Sequence, residues 1–460
     1  MASVAPATIA LSGRAPRVSA IALPILGELA LQAGASALIT WLLSQQSAAA
    51  AVAVNTTLSL VFFFCVLGRF VTMGAAVVVT QYLGAARRDS ALQLAGSAFH
   101  CSVWLGLASA VVLSVGAAPM LAAWSFPPEL MPFAVPYLRW TAFTLIVEVA
   151  AMCLLALLRA YGHARIGLHM NLASYLLQLA GIGAVLHGVD GPVLSKMTAL
   201  AGVALLSRAA FMLGLWRYQR GVIALRWAPR APIVWSTLKP AMAIGVPAAA
   251  EYLAYQVSFF AIMKMIGSMG ATALIAQAFA RQVMNMTMLP CLALGLATEV
   301  VIGYQVGAGQ LAAAARLMQR CLIGGVATGT LLALLAALCA GPLLGWFTTD
   351  AAIIAAGIPL LQVGVVLEVG RSINLVVING LRASGDVQFP ARIGVLSMWG
   401  LQAPLAYLLG LHTPLLLTGV WIAYAADEWV RGAGNLWRWQ QGHWRRRARA
   451  ARRRIAGGVS

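Results

Sequence analysis

Residues Thr330–Ala340 read TLLALLAALCA, and residues Val71–Val79 read VTMGAAVVV. Neither stretch carries a charge, and neither alternates polar with apolar side chains. A strand of a membrane barrel alternates over about ten residues, whereas a membrane-spanning helix needs roughly 20 mostly apolar ones. The rest of the chain has the same character: 61% of its 460 residues are hydrophobic and 9% charged. Soluble proteins have about 45–50% and about 25%. The composition excludes an ordinary soluble protein and supplies apolar material for roughly a dozen spans. The expected class is an all-α membrane protein.

Hydropathy divides the chain into twelve helices, starting near residues 18, 52, 92, 131, 167, 193, 241, 272, 317, 352, 393 and 415. The basic residues test this division independently. One set of alternate loops holds Arg87/Arg88, Arg159/Arg165, Arg217 to Lys239, Arg316 and Arg382/Arg392, while the opposite set holds no Lys or Arg. Positive-inside orientation then places both termini in the cytoplasm, in a multi-pass protein of a cell membrane, with a bacterial inner membrane expected. The first apolar stretch continues past Ile39, too long for a signal peptide, and reads as a retained span.

Net charge is +19, from 31 basic and 12 acidic residues. Eight arginines cluster at the C-terminus, from Arg438 to Arg454. A basic tail directly after a hydrophobic span points to anionic lipid, not nucleic acid. Trp437, Trp439 and Trp444 read as interfacial anchors.

The chain also repeats itself at an offset of 223 residues. Pro24 meets Pro247, Glu28 meets Glu251, and Gly84-Ala85 meets Gly307-Ala308. Leu158-Arg159-Ala160 meets Leu381-Arg382-Ala383, Gly162 meets Gly385, and Arg208 meets Arg431. Four of nine first-half prolines find a proline in the second half, where chance would give about 0.4 matches; self-similarity at fixed spacing marks a structural repeat. An even number of spans per repeat makes the two repeats parallel, related by an axis along the membrane normal. The expected architecture is twelve transmembrane helices in two six-helix pseudo-symmetric lobes. The boundaries are a cytoplasmic segment 1–17, an N-lobe 18–216, a linker 217–240, a C-lobe 241–437 and a basic tail 438–460.

An early helix-1 proline, Gln81-Tyr82-Leu83-Gly84-Ala85 near the end of helix 2 and Leu158-Arg159-Ala160-Tyr161-Gly162 after helix 4 all recur in the second half. There they stand as Gly245-Val246-Pro247, Gln305-Val306-Gly307-Ala308 and Leu381-Arg382-Ala383-Ser384-Gly385. In this ordered set the chain resembles the multidrug and toxic compound extrusion (MATE) transporters over nearly its whole length. The resemblance implies a secondary-active antiporter, not an enzyme. Such a protein exports drugs or metabolites in exchange for H⁺ or Na⁺ by alternating access, without a cofactor. The family's coupling acids match only in part. No acid stands near Ile39, where the family has a helix-1 aspartate; the helix-7 acid is Glu251 instead of a residue near Tyr255; and Arg371 takes the place of the helix-10 aspartate. The missing helix-1 acid favours H⁺ over Na⁺.

A charge in the bilayer centre costs about 2.5–3.5 kcal/mol on insertion scales, so intramembrane ionisable residues face a cavity or a partner. The candidate ion-coupling or substrate residues are therefore Glu28, Glu251, Glu148, Glu368 and Arg371. Glu28 and Glu251 are the symmetric pair, each one turn past its proline, and Glu368 and Arg371 can pair at i,i+3. Glu299 is a further acid near a span. Tyr255, with Tyr252, Phe259, Met263, Met284, Met286 and Met288, could line a substrate path. Arg69, Arg139, Lys264, Arg281 and Arg371 roughly balance the acids, which keeps an anionic or zwitterionic metabolite, a siderophore-type product or a flipped lipid-linked substrate open. The six cysteines and six histidines show no metal-ligand spacing, so no metal is expected. A small organic substrate, membrane lipid and a monomer complete the expectations.

Overall fold

The computed structural model describes residues 15–44, 48–123, 128, 131–188, 193–225 and 234–457. Arg14, Arg226 and Arg230, together with parts of the expected loops and linker, lie outside them. Among the described residues there is no strand; the chain is a succession of helices. The first half comprises α1 (Val18–Ser44), α2 (Ala48–Gly84), α3 (Arg88–Val115), the short α4 (Ala117–Ala123), α5 (Met131–Ala142), α6 (Thr144–Ala160), α7 (Arg165–Gly188) and α8 (Val193–Gln219). The second half comprises α9 (Trp235–Ser268), α10 (Ala271–Gly307), α11 (Leu311–Leu338), the short α12 (Ala340–Gly345), α13 (Ala351–Ala383), α14 (Gln388–Ser397), α15 (Ala403–Leu411), α16 (Leu416–Gln440) and α17 (His443–Ala456). Five residues of π-helix, Met398–Gln402, join α14 to α15.

Among the described residues, ten segments are long and apolar enough to cross a membrane. The two remaining helices of the expected twelve are α9, 34 residues long, and α16, 25 residues long. Each is long enough to span but interrupted by charged residues, which separates the observed ten from the expected twelve. Helix boundaries repeat at the sequence offset: 48 + 223 = 271 and 84 + 223 = 307 relate α2 to α10, and 88 + 223 = 311 and 115 + 223 = 338 relate α3 to α11.

Local chemistry explains how these helices end. At the end of α6, Gly162 has φ of 86°, and at the end of α13, Gly385 has φ of 84°. His163 N–H donates to the Leu158 carbonyl (2.8 Å) and Asp386 N–H to the Leu381 carbonyl (2.9 Å). These are Schellman closures, and the left-handed residue that makes them is most easily glycine. The glycine of each Leu-Arg-Ala-x-Gly motif is therefore a helix stop.

The chain forms two compact units. Among the described residues, one is made of residues 27–79 and 88–245, the other of residues 15–26, 80–87 and 246–457. In the first, α3 packs on α5 and α6, and α8 on α5, α6 and α7. Its apolar core includes Phe64, Leu113, Leu121, Leu138 and Leu145. In the second, α13 lies against α10, α11 and α16, and α16 also packs on α14 and α15. Ile262, Leu344, Leu360, Leu361 and Trp421 form one core cluster there.

Within the second unit, the ends of α2 and α10 cross at backbone distance. A Cβ at Gly84 would strike the Tyr304 carbonyl, and one at Gly307 the Gln81 carbonyl. Since 81 + 223 = 304, the two contacts are the same contact made twice. Gln81 Nε2 also donates to the Ala383 carbonyl (2.8 Å). The paired Gln and Gly-Ala motifs thus allow one close helix crossing, which small residues favour in membranes. Gly84→Ala and Gly307→Ala should each destabilise the purified protein by about 1–3 kcal/mol through overpacking. Gly96→Ala, where a Cβ meets nothing within 4 Å, should not. Thermal unfolding in detergent checks this.

Candidate functional site

Glu28 and Glu251 come out paired, each with the arginine of its own Leu-Arg-Ala motif. The Arg159 guanidinium reaches Glu28 Oε2 at 2.5 Å, and Arg382 reaches Glu251 Oε2 at 2.8 Å. Both pairs span 131 residues. Sequence reading placed these arginines in loops; the structure puts them in the last turns of α6 and α13, bonded to the carboxylates. The surroundings differ between the copies. Asn171 Nδ2 donates to Glu28 Oε1 at 3.0 Å. At the equivalent position, 171 + 223 = 394, Gly394 packs its backbone against the Glu251 side chain.

Glu148 lies in the first unit and is held by Arg208, at 3.4 Å. The Arg208 guanidinium also lies over the Tyr175 ring, 5.3 Å from its centroid.

Glu368 and Arg371 lie in the second unit and pair as the i,i+3 spacing suggests, at 3.2 Å. They belong to a larger network. Gly370 and Gly432 bring α13 and α16 close enough that the Gly370 carbonyl would lie 2.8 Å from a Cβ at Gly432. The facing side chains then meet: Arg371 is 3.7 Å from Glu428 Oε1. Arg431 reaches Asp427 Oδ2 at 2.8 Å and Glu428 Oε1 at 3.0 Å. Asn374 donates to Glu428 Oε2 at 2.9 Å, and Asn435 to Asn374 Oδ1 at 2.9 Å. Glu368 and Asp427 are both 0% exposed and Arg431 6%. The Ser397 hydroxyl, at the end of α14 where the π segment begins, sits beside Asp427. Among the described residues, the buried Glu368 Oε1 and Asn435 Oδ1 find no hydrogen-bond partner. The network holds three carboxylates and two guanidiniums, so its formal charge is 2 − 3 = −1.

Asp427, Glu428 and Arg431 were not among the sequence candidates. The signal was present: an Asp-Glu pair inside the last apolar stretch, with Arg431 matching Arg208 in the repeat. Hydropathy places those residues beyond the apolar centre of the span, and this hides them.

Tyr255 belongs to a third cluster. Its hydroxyl is 3.3 Å from Arg281 Nη2, and the Arg281 guanidinium stacks on Phe259, 3.8 Å from the ring centroid. No carboxylate pairs with Arg281 among the described residues. Trp421 Nε1 donates to Gln277 Oε1 at 2.5 Å, and the buried Tyr424 hydroxyl lies beside the same glutamine. Met284 is 2% exposed and packs on Gly364, so it serves as packing. Among the described residues no group of three or more His, Cys, Asp or Glu is arranged to hold a metal.

The MatE family model matches residues 24–182 and again 247–408. The two matches begin 247 − 24 = 223 residues apart. This chain belongs to the MatE family of membrane transporters, and it is a transporter, not an enzyme. It is 30% identical over 411 residues to an uncharacterized transporter of Bacillus subtilis, YisQ, covering 88% of this chain and 90% of that one. It is 29% identical over 387 residues to the multidrug resistance protein NorM of Burkholderia vietnamiensis, covering 79% and 81%. Among solved structures, a MATE transporter in a bent conformation matches with a TM-score of 0.85 at 17% identity, covering 95% of this chain and 96% of that one. A MOP superfamily transporter from Pyrococcus furiosus, described as having a binding pocket of reverse polarity, matches with a TM-score of 0.83 at 17% identity, covering 94% and 96%. These structural likenesses carry the fold.

Removing one partner of a buried ion pair strands the other and costs about 3–5 kcal/mol. Arg382→Ala should lower the unfolding temperature strongly, and adding Glu251→Ala should recover most of the loss. A double-mutant cycle on the detergent-purified protein measures that coupling.

Proposed function

We propose that this transporter is a secondary-active antiporter that exports organic compounds in exchange for H⁺, with the α13–α16 network as the coupling site. The observation that carries the reading is the network's uneven charge. The Glu28, Glu148 and Glu251 carboxylates each form an ion pair with one arginine, and Arg382 also faces the buried Glu299. Around Glu368, Asp427 and Glu428 one negative charge is left over. An uncompensated carboxylate among apolar helices is costly, and one bound proton neutralises it. The absence of an acid near Ile39, where the family has its helix-1 aspartate, favours H⁺ over Na⁺. Glu368 and Asp427 lie near the middles of α13 and α16, the depth at which transporters commonly place coupling sites.

On this reading Glu368 and Arg371 belong to the coupling network. Glu28, Glu251 and Glu148 fix helices through their arginines. Taking up and losing a proton would change how tightly α13 holds α16, and through it the exposure of the substrate site to either side of the membrane. Both termini would face the cytoplasm of a bacterial inner membrane, and the working unit would be a monomer. In proteoliposomes, a pH gradient should drive export and a Na⁺ gradient alone should not. Asp427→Asn and Glu428→Gln should each slow pH-driven export at least tenfold with unchanged protein yield. Wild-type rates in both variants, or export driven by Na⁺ alone, would overturn the coupling assignment.

A second reading, of the substrate, is favoured by Arg281. A guanidinium stacked on Phe259 and bonded to Tyr255, with no carboxylate partner among the described residues, offers a counter-charge to an anionic or zwitterionic group, and its aromatic surroundings suit a ring. Arg281→Gln should abolish export of aromatic carboxylates while sparing a lipophilic cation, measured as competing efflux from vesicles.

A further inference from the structure

The sequence reads the C-terminal arginines as a basic tail that touches anionic lipid and Trp437, Trp439 and Trp444 as interfacial anchors; in the structure Trp439 and Trp444 are buried instead. Arg438 is bonded to both oxygens of Asp386, at 2.9 and 3.3 Å. Beyond Gly442 the chain forms the 14-residue helix α17. Trp444 is 1% exposed and stacks on Trp439 with ring centroids 4.2 Å apart; only Trp437 is exposed. Ala448 and Ile455 are buried with Trp444. The apolar side of α17 is therefore used within the protein, and what it presents outward is arginine. Arg445, Arg446, Arg447, Arg449, Arg452, Arg453 and Arg454 are all exposed, and none pairs with a carboxylate among the described residues.

Two of these arginines are placed differently from the others. Arg449 and Arg452, with Ala448, border a cavity of about 300 Å³ closed on the other side by Gly309, Leu311 and Ala312 of the α10–α11 turn. The Arg452 guanidinium occupies the space that a Cβ on Gly309 would fill, and Gly309 has φ of 77°. A side chain there would be strained and would unseat Arg452. Farther along α17, the Arg454 guanidinium is near Tyr82. The helix thus lies over the ends of both α10 and α2, where the two Gly-Ala motifs cross.

We propose that the Arg449–Arg452 cavity is a binding site for the phosphate of an anionic phospholipid headgroup, and that its occupancy secures α17 across the α2–α10 crossing. Guanidinium binds phosphate through paired hydrogen bonds as well as charge. The surrounding exposed arginines would draw the helix to an anionic leaflet, an attraction that salt screens. A soluble phosphate lacks the membrane that this arginine face is shaped to meet, so lipid is the favoured source.

The test uses the full-length protein purified in detergent, titrated with phosphatidylglycerol, phosphatidylcholine or inorganic phosphate, with retained lipid read by native mass spectrometry and unfolding temperature recorded in parallel. Phosphatidylglycerol should bind and raise the unfolding temperature. The Arg449→Gln/Arg452→Gln variant should bind it at least tenfold more weakly, the Lys variants at the same positions should recover part of that binding, and Arg446→Gln/Arg447→Gln should lose less than threefold. A phosphatidylglycerol affinity unchanged in the pocket variant would overturn the proposal. So would an equal loss in the Arg446/Arg447 control, which would mean a diffuse basic surface, or equal protection by inorganic phosphate, which would mean a site for the free ion.

Discussion

A charge carried into a membrane has to be met by an opposite charge or by water, and the arrangement of α13 against α16 follows from that requirement. Gly370 and Gly432 remove the side chains that would hold these helices apart. Their closeness lets Arg371 and Arg431 bridge Glu368, Asp427 and Glu428. Helix propensity or apolar packing alone would place Leu or Ala at such positions. Buried ion networks of this kind add little stability over apolar replacements, but they are expensive to leave incomplete. Their presence among apolar helices is what supports the coupling role proposed for them.

The same requirement organises the other intramembrane carboxylates. The Arg159–Glu28 and Arg382–Glu251 bonds each tie an early helix of a half to the helix that ends its fourth span. Glycine closes that fourth-span helix directly after the arginine, so the guanidinium is fixed in the last turn and aimed back at the carboxylate. A short motif in the sequence thereby carries two physical functions, a helix stop and a counter-charge.

Much of the fold was legible because it depends on periodic, local properties. Long uncharged stretches mark the helices, and the offset of 223 residues recurs in the helix boundaries. The site was harder to read because it depends on which side chains face each other across helices distant in sequence. Arg159 and Arg382 look like loop residues by hydropathy, since nothing local announces their carboxylate partners. Asp427 and Glu428 weaken the apolar signal of the helix they occupy, so the charge that brings them into the network also conceals them. Trp439 and Trp444 were misread for a related reason. A tryptophan after a span resembles an interfacial anchor until a following helix folds back and stacks one ring on the other.

The reciprocal contact of Gly84 with Tyr304 and of Gly307 with Gln81 has an ancestral meaning. Two identical molecules meeting about a two-fold axis make every contact twice, with the partners exchanged. A fused descendant of such a homodimer inherits that contact as an internal one, now written at two places in a single gene. Each copy must still accommodate the other, so neither glycine is free to drift alone.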